Sequence, residues 1–407
     1  MSAITKPVIL DETGKQIVEK LHTQNLLLDI LAGATLEHTQ NLEEIANIVR
    51  SGDGDKIFNI GDQIIVPWID PVADKTWSMP FDVVHFGNVT LEDQESVPGM
   101  FLQAHYAHPF GVQFGHERAF LKCPSGLAAG KYKFTFESTW GSNVTAGDVV
   151  CFELTAAVPE NGRIAGCYGA PDKAKSTWKI YSYAADGATL NEAAITPYFT
   201  ADGTETDLGT MKTDARNGNL NAAQEMAYGY NNYKASAIRQ YLNSAAGANA
   251  WWTPSDAFDI VPNEITKAGF LAGFQNDFLA AIKPVKVSQA TNTVIDDGTT
   301  QDMYDRVFLP SLQEMHIVPQ VADAEGVIWE YWKRVSGSNT PLATGGTYPH
   351  MRTFGLDNKN SAQNVRLRSA IRGGAGTTWH VASSGGVSSN GYYANSAHRF
   401  APAVVIC

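Results

Sequence analysis

HVASSGGVSSNGYYANSAHRFAPAVVIC, His380 to Cys407, closes the sequence and decides how the rest of it is read. Its last eight residues, FAPAVVIC, are apolar on both parities, the pattern of a strand buried on both faces. The twenty small, polar and aromatic residues ahead of them are therefore held between that strand and Trp379, and are no frayed tail. In an extended chain Trp379, Val381, Ser383, Gly385 and Val387 share one parity, and His380, Ala382, Ser384, Gly386 and Ser388 the other. The two sets face opposite sides. Trp379, Val381 and Val387 are expected to anchor the core side, which leaves the other side free to vary.

Residue types add a second signal. From Ser369 to Cys407 there is no Lys, Glu, Gln or Met, although a polar surface of that length would ordinarily carry several.

Working outward, 407 residues suggest roughly two or three domains of ~100–200 residues each. With 44% hydrophobic and 18% charged residues, the composition is that of a folded chain. A net charge of -12 and the absence of a long Lys/Arg run argue against nucleic acid and anionic membrane as partners. No stretch approaches the ~20 apolar residues of a spanning helix, and the start lacks the pattern of a signal peptide, so no membrane insertion is expected. Cys123, Cys151, Cys167 and Cys407 form no CxxC and read as reduced, mostly buried thiols, with an approach of Cys151 to Cys167 across a hairpin left open.

Residues 9 to 50 carry apolar positions at helical spacing, among them Ile17, Leu21, Leu28, Leu31, Leu42, Ile45 and Val49. That face either packs on the chain's own domains or bundles with sister subunits. From Lys56 to about Lys212 short β-like runs such as DQIIVPW, KYKFTFES and DVVCFEL alternate with turn residues, which predicts a β-sandwich or a related antiparallel module. Beyond Asp214 the stretches NAAQEMAYGYNNYKASAIRQYLNS and EITKAGFLAGFQNDFLAAI predict two helices, followed by irregular Trp-bearing segments.

Chemistry-bearing constellations are few. His105, His108, His116 and Glu117 lie within one short span, but Pro109 and Gly111 break any helix that would align them, and ordinary half-buried histidines are the preferred reading over a metal centre. There is no GxSxG, and GGAGTT at 373 to 378 lacks the lysine of a phosphate-binding loop. Asp296 with Asp297 and Asp302 with Asp305 read as turns and helix starts. GLDNKNSAQN, 355 to 364, offers oxygens to calcium but reads first as a solvated loop. Trp251, Trp252, Trp329, Trp332 and Trp379 are expected to plug a loop-rich core in preference to stacking on sugars. No catalytic residue, cofactor or metal is predicted.

YKASAIRQYLN (233 to 243), RVFLPSLQEM (306 to 315), RLRSAIRGG (366 to 374) and the closing FAPAVVIC, in that order and spacing, resemble the C-type-lectin-like domain of phages and gut bacteria that is related to the formylglycine-generating enzyme. The resemblance covers roughly residues 220 to 407, most specifically the last forty. It is to the variable proteins of diversity-generating retroelements, in which error-prone reverse transcription at adenines rewrites the end of the gene. Mutating both adenines of an AAC codon can give Ser, Thr, Tyr, His, Gly, Ala, Ile or Asn among others, but never Lys, Glu, Gln or Met. The resemblance thus implies that the diversified, ligand-binding positions are Ile371, Gly374, Gly376, Thr377, Thr378, His380, Ala382, Ser384, Gly386, Ser388, Ser389, Asn390, Tyr392, Tyr393, Asn395 and His398. Formylglycine chemistry does not carry over, since terminal Cys407 is the domain's sole cysteine. FNIGDQIIVPWID and PFDVVHFGNVTLEDQESVPGMFLQAHYA further resemble virion proteins of phages of Gram-positive gut bacteria.

The expectation is an α+β chain in three parts: residues 1–52, a helical oligomerisation or attachment segment; 53–215, a β-rich sandwich-like domain; and 216–407, a C-type-lectin-like domain with its variable region at about 366–407. In an alternative division Ile60 to His85 open the lectin-like domain, and about Val89 to Lys212 are inserted into it. The function implied is that of a non-enzymatic phage or prophage receptor-binding protein, made in the bacterial host cytoplasm and carried on the virion. Its partners would be a host-cell surface protein or glycan, other virion proteins, and its own copies, with a trimer favoured. The alternative is a structural virion protein, for capsid decoration or tail assembly, without an external ligand. Tyr, Ser, Gly and Asn suit a recognition surface because Tyr supplies contact area with few rotamers while small polar residues adapt their hydrogen bonds.

Overall fold

The computed structural model describes residues 41–117, 119–137, 144–167, 173–174, 178–211, 228–255, 259–344, 352–388 and 392–407. The fold is mixed α+β and strand-rich, built from several sheets. Its largest sheet begins with β1 (Gln63–Asp70), in which Ile64, Val66 and Trp68 turn inward while Gln63, Ile65 and Pro67 turn outward. β1 runs antiparallel to β2 (Lys75–Thr90), and β2 to β3 (Ser96–Ala104). The next strand is not a near neighbour in sequence. It is β19 (Ala403–Ile406), placed between β3 and β14 (Val307–Phe308), with Met100 opposite Ile406 and Leu102 opposite Val404. The final strand is thus buried on both faces, as FAPAVVIC suggests.

This order joins strands from both sides of the expected division at residues 215/216 in one sheet. One hydrophobic core runs from Leu42 through Phe81, Leu102 and Ile238 to Val405, so β1–β3 belong with the C-terminal half. What interrupts that half is a module beginning near Ala119, later than the alternative division expected. It contains β5 (Leu121–Cys123), β6 (Gly130–Phe136), β7 (Val149–Leu154), β8 (Gly162–Cys167), β9 (Lys179–Tyr183), β10 (Leu190–Ile195) and β11 (Thr206–Met211). They form two sheets, β10-β9-β8-β5 and β11-β6-β7. Phe134 and Phe152 from one sheet meet Ile164 and Ile180 from the other in a separate apolar cluster. The two sheets thus share one apolar cluster.

Helices are shorter than the periodicity predicts. Residues 9–40 lie outside the described part, and the helix Leu42–Arg50 is capped by Asn41, whose side chain accepts from the Glu43 N–H at 3.1 Å. Its Leu42, Ile45 and Val49 enter the main core, so this stretch packs on its own chain. Of the first later helix, residues 221–227 lie outside the described part; over the described residues of the two predicted stretches stand Ala237–Leu242 and Asn276–Ala281, with single 3₁₀ turns at Tyr233–Ala235, Asn263–Thr266 and Phe270–Gly273. The reason is visible at Gly273, where a Cβ would fall 2.3 Å from Trp68 Nε1, while that same nitrogen donates to Phe270 O at 3.0 Å. The chain is pinned to β1 there, and a glycine is what permits the approach.

Four of the five tryptophans, Trp251, Trp329, Trp332 and Trp379, are buried, and Trp252 is half-buried against the core. Cys123, Cys151 and Cys407 are buried free thiols, and the Cys167 side chain is outside the described part. Among the described residues no helix is long and apolar enough to cross a membrane.

Candidate functional site

The segment 371–398 is built on β15 (Val365–Ala370), β16 (Thr378–Val381) and β17 (Val387–Ser388), an antiparallel ladder, and returns through β18 (Ala397–His398), which pairs with β4 (Val112–Gln113). Two side chains from outside the segment hold its backbone. Asn231, fully buried, donates through Nδ2 to the carbonyls of Ile371 at 3.2 Å, Gly374 at 2.7 Å and Thr377 at 2.7 Å, while its own Oδ1 accepts from Asn292. Arg366, also fully buried, donates to Tyr393 O at 2.9 Å, to Ser396 O at 2.8 Å and to Thr378 Oγ1. Nearly all these acceptors are main-chain carbonyls, which every residue type supplies equally.

The predicted positions divide. Ile371, Thr377, Ala382, Gly386, Ser388, Tyr392, Tyr393, Asn395 and His398 are half-exposed, and Ser384 is exposed. Gly374, Gly376, Thr378 and His380 are buried, and Ser389 and Asn390 fall outside the described residues. Strict alternation therefore fails at β16, which is buried on both faces. The cause is a second layer: Thr378 caps the Arg366 guanidinium, and the Tyr392 ring lies over His380 with centroids 3.3 Å apart. Ser383, assigned to the core side, is exposed at the turn closed by Gly385, whose φ of +83° suits glycine.

The buried layer has a definite electrostatic state. Desolvation, reinforced by the Arg366 cation, pushes His380 down to about 3, and the same two causes push His398 to about 3. Both imidazoles are neutral at pH 7. Burial lowers Arg366 to about 9, which leaves it cationic there.

Where the segment meets the inserted module, the chain encloses an open cleft of about 450 Å³. Tyr393 and Asn395 line it from the segment. Tyr228 stacks on Tyr393, with centroids 3.8 Å apart and planes 15° from parallel. From the inserted module β9 contributes to the lining: Ile180 and Ser182 are buried, and Tyr181 and Tyr183, on the other parity, border the cleft. At the floor His116 Nδ1 lies 2.7 Å from Glu117 Oε2, and Asn395 Nδ2 donates to Glu117 Oε1 at 2.7 Å. Although burial opposes both charges, each raises or lowers the other: His116 is held above the usual imidazole range and Glu117 below the usual carboxylate range. Gln113 spans floor and rim, donating to Asn395 O at 2.6 Å and accepting from Asn263 N at 2.7 Å. Gly229, at φ +82°, brings the chain under the segment: a Cβ there would lie 2.4 Å from Gly115 O and 3.0 Å from Asn395 N.

Tyr181, Tyr183 and Tyr228 were not among the predicted positions. KIYSY carried the signal for the first two, since alternation on a half-buried strand already turns both rings to one side. What it lacked was any indication of what that side would face.

The histidine cluster does not converge. His105 Nδ1 pairs with Asp82 Oδ2 at 2.8 Å, beside Arg352. His108 is buried between Trp68 and Phe400. Its pKa lies well below the ordinary value through desolvation. Among the described residues no group of three His, Cys, Asp or Glu side chains is arranged to hold a metal. In the 355–364 loop, Asp357 forms an ion pair with Arg399.

Set beside known proteins, this α+β chain with its composite cleft matches one family model, described as a domain of unknown function, DUF6273, over residues 210–406. The match takes in β12 (Val285–Ala290), β13 (Thr300–Asp305) and β14–β19, and leaves out β1–β3, the strands that complete their sheet. No curated protein and no solved structure matches the chain.

Proposed function

We propose that the chain is a non-enzymatic receptor-binding protein of a phage or prophage, with a C-type-lectin-like C-terminal half whose segment 371–398 is rewritten by a diversity-generating retroelement. The observation that carries this reading is the way the segment is held. Asn231 and Arg366 lie outside it, and they grip the carbonyls of residues 371, 374, 377, 393 and 396. Side chains at Ser384, Ser388, Tyr392, Tyr393 or Asn395 can then change without loss of those bonds. Rigid backbone beneath interchangeable Tyr, Ser, Gly and Asn is what a recognition surface needs. Display on an oligomer, favoured as a trimer, would turn modest contacts into avidity.

Sequencing the locus tests the reading. An adenine-rich near-copy of the DNA encoding 371–398, with a reverse transcriptase gene close by, is the expected result. Absence of both defeats diversification. Electron microscopy of particles then separates receptor binding from a purely structural role, which would bury the C-terminal surface inside the virion.

A further inference from the structure

We infer that the cleft between the inserted module and the segment 371–398 binds a neutral saccharide, so that the module is half of the receptor site. This inference rests on the receptor-binding reading and names its ligand class.

Three observations converge. First, the lining holds four tyrosines: the stacked pair Tyr228–Tyr393, and Tyr181 and Tyr183 from the inserted module. A pyranose ring presents a flat apolar C–H face, and tyrosine covers such a face while its hydroxyl reaches the polar rim. Several aromatic rings lining one cleft suit stacking on the rings of a sugar chain. Second, the floor is a connected polar set in which Asn395, Glu117, His116 and Gln113 hold one another at 2.6–2.7 Å. Planar amides and a carboxylate present paired oxygens and N–H groups to the vicinal hydroxyls of a sugar, and a pre-bonded floor loses little freedom on binding. Third, the lining among the described residues holds no Lys or Arg, and its one acid, Glu117, is matched by His116. An acidic sugar would meet no dedicated cation. The volume of about 450 Å³ lies within the range of about 300–1,000 Å³ usual for small-ligand sites, which admits a short oligosaccharide end.

The cleft also joins constant and changing parts of the molecule. Tyr181, Tyr183, Glu117 and Gln113 lie outside 371–398, whereas Tyr393 and Asn395 lie inside it. A fixed half would recognise a pyranose face, and the segment would select among glycans.

The test is binding of the full chain to an array of neutral and acidic oligosaccharides from bacterial surfaces, repeated with Tyr181→Ala, Tyr181→Phe and Tyr393→Ala, and with Tyr106→Ala as a control distant from the cleft. Neutral glycans should bind, and each cleft alanine should weaken binding by about tenfold. Binding by Tyr181→Phe and Tyr106→Ala should remain close to the parent, and all four variants should keep a cooperative unfolding transition. Binding of acidic glycans only, or binding indifferent to Tyr181→Ala, overturns the inference. So does failure to bind any glycan while protein-digested cells of the bacterium carrying the gene lose a binding that untreated cells show; that outcome leaves the receptor reading standing with a protein ligand. If neither glycans nor cells bind, the receptor reading falls as well.

Discussion

Arg366 and Arg368 stand two residues apart on β15, both fully buried, and they anchor two regions in different ways. On the framework side Arg368 meets Glu314 through a pair of charge-assisted bonds at 2.5 and 2.7 Å and also donates to the carbonyls of Leu309 and Glu325. On the site side Arg366 meets no carboxylate among the described residues; it holds Thr378 Oγ1 and two carbonyls. A buried ion pair is strong only while both partners persist. Where neighbouring residues are interchangeable, main-chain carbonyls are the dependable acceptors. The difference teaches that the site leans mainly on main-chain carbonyls where the framework leans on a buried charge pair.

The comparison is most forcefully broken at Glu314. Glu314→Gln strands a buried guanidinium and should cost about 3–5 kcal/mol in chemical denaturation. A loss below about 1 kcal/mol would mean that Arg368 does not anchor the framework. Next, Asn231→Ala leaves three carbonyls of the segment without their donor and should cost about 2–3 kcal/mol, with raised hydrogen exchange confined to 371–378.

Acid sharpens the contrast further. His380 titrates near 3 in the folded chain and at about 6.5 when unfolded, so the unfolded state takes the proton first. Its contribution is complete above pH 6.5 and is lost as pH falls toward 3. His398 and the deeply buried His108 act in the same sense, as do His85 and His316, whereas His116, held above its usual value by Glu117, opposes them. Between pH 6.5 and 4.5 His380→Asn should flatten the stability profile by up to about 1.4 kcal/mol per pH unit. The smallest effect is expected at the rim: Ser384→Tyr, at an exposed position, should stay within about 0.5 kcal/mol of the parent.

Much of the framework is legible in the sequence because its pattern is local. Alternation in QIIVPWID and the unbroken apolar run at 403–406 predict their burial directly. The domain boundary is not legible, because the pairing of Met100 with Ile406 joins positions three hundred residues apart and no periodicity records it. The site is half legible. Residue types single out 371–398, yet the burial of Thr378 and His380 depends on Arg366 and Tyr392 arriving from other turns of the chain, and part of the cleft's lining comes from a module whose strands look self-sufficient.

The position of β19 has one more consequence, for translation. It is made after the segment 371–398, yet it occupies the middle of the largest sheet. A shift of reading frame anywhere in that segment replaces Ala403–Ile406 and leaves β3 with an open hydrogen-bonding edge, a state prone to aggregation and proteolysis. Residue swaps in frame leave the closing strand intact. Under the proposed diversification, only messages that stay in register through 371–398 would yield a chain whose largest sheet can close.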